Sequence, residues 1–135
     1  MQGLEINVVE STAPTIPLVR LRGEIDLHTC PELRAALQRL MEEGRYRIVL
    51  DMAEVPYLDS AALGVLVDAV RRARENGGGL YLAQVMTFVR RAFEITRLIR
   101  IFPVYDSVDS AVAAATAAGA PPTGGTSASG GAAAA

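Results

Sequence analysis

The sequence predicts a single α/β domain on a mixed, mostly parallel sheet of about five strands with about four helices. The predicted order is β-β-α-β-α-β-α-β-α. Three observations predict it. Short apolar runs of strand length alternate with longer stretches whose apolar residues recur at helical spacing. The first two strand patterns are separated only by a short turn, which fits a hairpin. The chain has 135 residues, half of them hydrophobic, which is room for one domain with a real core.

Leu4-Glu5-Ile6-Asn7-Val8-Val9 alternates apolar and polar and reads as a strand. Ser11 to Pro14 supply turn residues, and Ile16 to Ile25 reads as the second strand, with Val19, Leu21 and Ile25 inward. Thr29 and Glu32 fit a capping box, and Pro31 suits a helix first turn. Leu33, Ala36, Leu37, Leu40 and Met41 then follow at helical spacing up to Gly44, which ends the helix. Arg47 to Met52 is a largely apolar strand of a covered sheet. Asp59-Ser60 opens a second helix marked by Leu63, Leu66, Val67 and Val70, and Asn76-Gly77-Gly78-Gly79 breaks it. Leu80 to Ala83 is a strand. Val85, Phe88, Val89, Ala92 and Phe93 give a third helix its inward face, with Arg90, Arg91 and Glu94 outward. Ile101-Phe102-Pro103-Val104 reads as a last strand, placed at an edge by Pro103. Asp106 to Asp109 start a fourth helix with Val108, Ala111, Val112 and Ala115 on one face.

The folded unit is expected to span residues 1–118. Residues 119–135 read GAPPTGGTSASGGAAAA, have nothing large to bury, and are expected to form a flexible tail. Thirteen Lys+Arg against fifteen Asp+Glu give a net charge of −2, unlike the basic excess of a dedicated nucleic-acid binder. No apolar run approaches the ~18–20 residues of a membrane span, and the N-terminus lacks the basic and apolar regions of a signal peptide. One cysteine, Cys30, leaves no internal disulfide and no Cys-rich zinc module. These readings point to a cytoplasmic protein without cofactor or metal, and nothing demands more than a monomer.

Function in open α/β sheets gathers where strand C-ends meet helix N-ends. Two loops qualify, Gly23 to Thr29 and Val55 to Leu63. Asp59 can cap the second helix, and Ser60 opens its first turn. The ordinary reading of that pair is a cap and no more. The other reading is a modification site, because the N–H groups and dipole of a helix N-terminus favour the negative charge of a phosphate.

The runs Leu21-Arg22-Gly23-Glu24-Ile25-Asp26, Ile48-Val49-Leu50-Asp51-Met52 and Tyr57-Leu58-Asp59-Ser60-Ala61-Ala62-Leu63-Gly64-Val65-Leu66 together resemble the STAS domain. More narrowly, they resemble the bacterial anti-sigma factor antagonists, as do Phe93 to Leu98, Ile101 to Val104 and Ser107 to Val112. The resemblance implies partner switching. The unphosphorylated antagonist binds an anti-sigma factor that is also a serine kinase, which frees the sigma factor to activate transcription. The kinase phosphorylates the antagonist, which lets go, and a serine phosphatase resets it. Ser60 matches the accepting serine, and Asp26 and Asp59 match loop positions bordering the kinase contact. The contact face expected from both loops and the second helix comprises Asp26, His28, Thr29, Tyr57, Asp59, Ser60, Ala61, Leu63 and Gly64. The family commonly reads Asp-Ser-Ser/Thr-Gly-Leu, whereas Ala61 and Ala62 follow Ser60 here, and Arg97 stands where the family usually has Gly. In this reading the protein is a kinase substrate and not an enzyme. The alternative is a STAS scaffold subunit of a lipid-trafficking or transporter-associated assembly.

Other features have plainer readings. His28 and Cys30 lie close, but no third orienting residue accompanies them for nucleophilic catalysis. Gly77 to Gly79 follow a helix and lack the Lys-Ser/Thr of a phosphate loop. Arg71, Arg72, Arg74, Arg90, Arg91, Arg97 and Arg100 read as solvated helix faces, or as steering toward an acidic partner.

Overall fold

A computed structural model describes residues 3–13 and 15–118. The expected tail, 119–135, lies outside the described residues. The elements are β1 (Glu5–Glu10), β2 (Pro17–Arg22), α1 (Cys30–Glu42), β3 (Arg47–Glu54), α2 (Ser60–Glu75), β4 (Gly79–Ala83), α3 (Thr87–Ile95), a short 3₁₀ turn at Leu98–Arg100, β5 (Val104–Tyr105) and α4 (Val108–Ala118). This is the predicted order. The strands lie in the sheet in chain order, β1 to β5. β1 pairs antiparallel with β2, and all later neighbours are parallel. Among the described residues no helix is long and apolar enough to cross a membrane.

Side chains alternate across a strand, so each buried strand feeds two faces. On one face Val19, Leu21, Ile48, Leu50, Leu80 and Leu82 pack against α1, α2 and α3. On the other, Leu18, Val49, Tyr81 and Ala83 meet Ala111, Val112 and Ala115 of α4. The small side chains of α4 fit close backbone approach to the sheet. Beside it, on β2 and β3, the second face is polar: Arg20 pairs with Asp51 at 3.8 Å and Arg22 with Glu54 at 3.1 Å.

Helix ends follow the chemistry of their residues. Gly44 takes φ +84° after α1, Gly44 N–H donates to Met41 O at 2.9 Å, and Arg45 N–H donates to Leu40 O at 3.0 Å. That is the paired closure glycine makes easy. After α2, Gly78 answers a different need. A Cβ there would lie 1.9 Å from the Tyr46 carbonyl oxygen, so only glycine lets β4 start beside β3.

Four expectations change in detail. The second strand was expected to run to Ile25 but stops at Arg22, because Gly23 turns at φ +118°; Ile25 forms an isolated parallel bridge with Leu58. The capping box is not Thr29 with Glu32, since the Thr29 side chain caps no N–H of α1. It lies one turn earlier: Asp26 Oδ1 accepts from Thr29 N–H at 3.0 Å, and Thr29 Oγ1 accepts from Asp26 N–H at 2.9 Å. The last strand begins at Val104 and not Ile101. Pro103 has no N–H for the ladder, although its carbonyl accepts from Leu82 N–H at 2.9 Å. Phe102 is instead buried against Phe93, ring centroids 5.3 Å apart. Finally, Phe88 is not inward. It is 60% exposed, and Val89 and Phe93 fill the core from α3.

Candidate functional site

The C-ends of β2, β3 and β4 lie along one rim, because those strands are parallel. The two loops singled out in the sequence meet there. Ile25 N–H donates to Tyr57 O, and Asp59 N–H donates to Ile25 O, both at 3.1 Å. Each loop is thereby held by the backbone of the other.

Asp59 strengthens this junction. It is extended, as an N-cap residue should be, and its Oδ1 accepts from Ala62 N–H at 3.0 Å. Its Oδ2 accepts from Leu27 N–H of the neighbouring loop, also at 3.0 Å. One carboxylate therefore caps α2 and fixes the tip of the β2–α1 loop.

Asp26 shapes that loop from within. Besides Thr29, its Oδ1 accepts from His28 N–H at 2.9 Å. The Thr29 N–H above all holds the Asp26 carboxyl below its ordinary value, against a smaller opposing contribution from desolvation, with the His28 N–H helping. The Thr29 hydroxyl is within 3.0 Å of Glu24 O and 3.2 Å of Asp26 Oδ1. Thr29 is buried, so it sets the loop's shape and presents no surface.

Ser60 is the first residue of α2. It is exposed, and its hydroxyl makes no hydrogen bond to any described residue. Gly64 lies one turn further on the same helix face and is also exposed; a Cβ there would meet nothing within 4 Å. Ala61 is half-buried. Leu63 is half-buried against the core and belongs mainly to packing. Of the nine expected contact residues, the structure brings Asp26, His28, Tyr57, Asp59, Ser60, Ala61 and Gly64 to this surface.

Sequence reasoning missed three apolar side chains here. Leu27 is 67% exposed at the loop tip that Asp59 holds. Phe88 stacks on the exposed Tyr57 ring, centroids 6.2 Å apart, and Met86 just before α3 is exposed too. Leu27 carried a signal: an apolar residue at the centre of an otherwise polar turn has no core to enter. Phe88 carried a weaker one, since residue 88 is about 100° around the helix from the 89/93 stripe.

The family model of the STAS domain matches residues 7–111. The chain belongs to the STAS domain family. A curated relative in the family is the anti-sigma-B factor antagonist of Staphylococcus epidermidis, 32% identical over 95 residues, which are 70% of this chain and 88% of that protein. Among solved structures, this STAS domain resembles an anti-sigma factor antagonist from Mycobacterium paratuberculosis, with TM-score 0.76 and 24% identity over 84% of this chain and 95% of that one. It also resembles the Bacillus cell fate determinant SpoIIAA in its phosphorylated form, with TM-score 0.65 and 19% identity over 81% and 97% of the two chains. At these identities the structural likeness is one of fold.

Proposed function

We propose that this STAS protein is an anti-sigma factor antagonist, that its rim docks an anti-sigma factor serine kinase, and that phosphorylation of Ser60 reverses the docking. The observation that carries the reading is the free, exposed Ser60 hydroxyl at the start of α2, next to the Asp59 carboxylate that holds the exposed Leu27. In the transfer step, the Ser60 oxygen forms a bond to the γ-phosphorus of ATP, the bond to the β-phosphate oxygen breaks, ADP leaves, and the hydroxyl proton passes to a base on the kinase. A serine phosphatase restores the hydroxyl by hydrolysis.

The physics of release is local. Leu27, whose N–H is held by Asp59 beside Ser60, and the stacked pair Tyr57 and Phe88 give the proposed docking face exposed apolar side chains, the kind that bind a protein partner. Phosphate adds roughly −1.5 to −2 charges at its edge. Burying that charge without a partner costs several kcal/mol. A loss of about 2–5 kcal/mol corresponds to roughly 30- to several-thousand-fold in affinity, enough for a switch without repacking the fold. Ala61 leaves Ser60 as the only serine of the motif.

The test is to incubate the full chain with candidate anti-sigma serine kinases and ATP and to locate phosphate by mass spectrometry. Modification at Ser60 is expected. Ser60→Ala should bind the kinase without being released by ATP, and Ser60→Glu should bind at least ~30-fold more weakly. Phosphate at another residue, or ATP-driven release of the alanine variant, would overturn the reading.

A further inference from the structure

Both oxygens of the Asp59 carboxylate are engaged, but their donors differ. Ala62 is fully buried, so its N–H has no water to turn to if Oδ1 leaves. Leu27 is exposed, and water can take over its N–H from Oδ2. Up to Ile25 the β2–α1 loop is tied to the β3–α2 loop by backbone bonds. Beyond Ile25, the Leu27–Asp59 bond is the one hydrogen bond among the described residues that joins the tip to α2.

We infer that Asp59 is a latch, which holds Leu27 in the docking surface while Ser60 is unmodified and releases it when Ser60 carries phosphate. The inference deepens the proposed function and rests on its reading of Ser60 as the accepting residue. Phosphate on Ser60 sits one residue from the Asp59 carboxylate, and like charges that close repel. The bond that yields is the one whose donor solvent can satisfy. Leu27 then loses its fixed place beside Ser60, and phosphate weakens docking twice, through its own charge and through the loss of an ordered apolar side chain. The Asp26 turn and the Ile25 bonds are untouched, which confines the loosening to the loop tip.

The experiment is amide hydrogen exchange by NMR on the ¹⁵N-labelled full chain, with and without phosphoserine inserted at position 60 during translation. Leu27 exchange should rise at least ~10-fold on modification, the scale of one charge-assisted hydrogen bond, while Ala62 stays protected. Asp59→Ser keeps a capping oxygen but is too short to bridge. In that variant Leu27 should exchange fast in both forms, and phosphate should add nothing. Equal Leu27 rates in the unmodified and phosphorylated wild type, or a phosphate effect that survives Asp59→Ser, would overturn the latch. No kinase or anti-sigma factor enters this measurement, so the two failures are distinguishable. A latch that opens beside a Ser60 that kinases ignore would support the inference and sink the proposed partner.

Discussion

Arg97 ends α3 at φ +66°, and its N–H donates to Glu94 O at 3.1 Å. A side chain in the left-handed region costs about 1–2 kcal/mol, partly offset by the greater entropy a glycine would lose on folding. Arg97→Gly should therefore raise stability by ~0.5–1 kcal/mol in a urea titration. Asp26 gives a pH prediction. Its folded pKa is depressed, chiefly by the Thr29 N–H, so its stabilising contribution is complete above the unfolded carboxyl range. That contribution is lost as pH falls through the lower folded value. Asn at position 26 accepts the same N–H bonds without titrating. The stability gap between wild type and Asp26→Asn should be flat above about pH 5 and move in favour of Asn below about pH 4, as read by denaturant titration across pH.

At the scale of elements, α3 supplies both core and surface. Val89 and Phe93 anchor it, while Phe88 leans outward onto Tyr57. Phe88→Ala should cost about 1 kcal/mol of stability or less, since the side chain leaves no core cavity. If the rim docks a partner as proposed, the same variant should lose more than ~10-fold in affinity, measured by calorimetry against the anti-sigma factor. Gly78→Ala tests the opposite kind of residue. It forces β3 and β4 apart at Tyr46 and should destabilise by ~3 kcal/mol with no direct effect on the rim. The order of elements was legible in the sequence because period-2 and period-3.6 patterns alternate cleanly, and because Asp59, Gly44 and Pro103 each have one strong local role. The sequence signature points to Thr29-Cys30-Pro31-Glu32, because Glu at the fourth position fits it, whereas the reciprocal pair forms between Asp26 and Thr29, where Thr stands in that position. The earlier one forms, since Asp26 can take two N–H donors at once. Leu27 was legible as surface only through the polar turn around it, and Phe88 hardly at all, because apolar character alone does not say which residues the tertiary packing leaves outside.

For the whole molecule, one sheet shares two cores, so damage to either face should be felt by both. Val112 is buried between α4 and the sheet. Val112→Asp should cost more than ~3 kcal/mol, with α1 and α2 melting in the same transition, as followed by circular dichroism and amide exchange. The three crossover helices, α1 to α3, all lie on one face, and α4 covers the other only after the last strand. The chain thus winds in one sense across the sheet and never doubles back. Doubly wound sheets bind nucleotides in the cleft that opens where successive connections part to opposite sides. Here the described connections between parallel strands, α1 to α3, all lie on one face, so no such cleft opens between them, and the rim instead presents exposed side chains from adjoining loops.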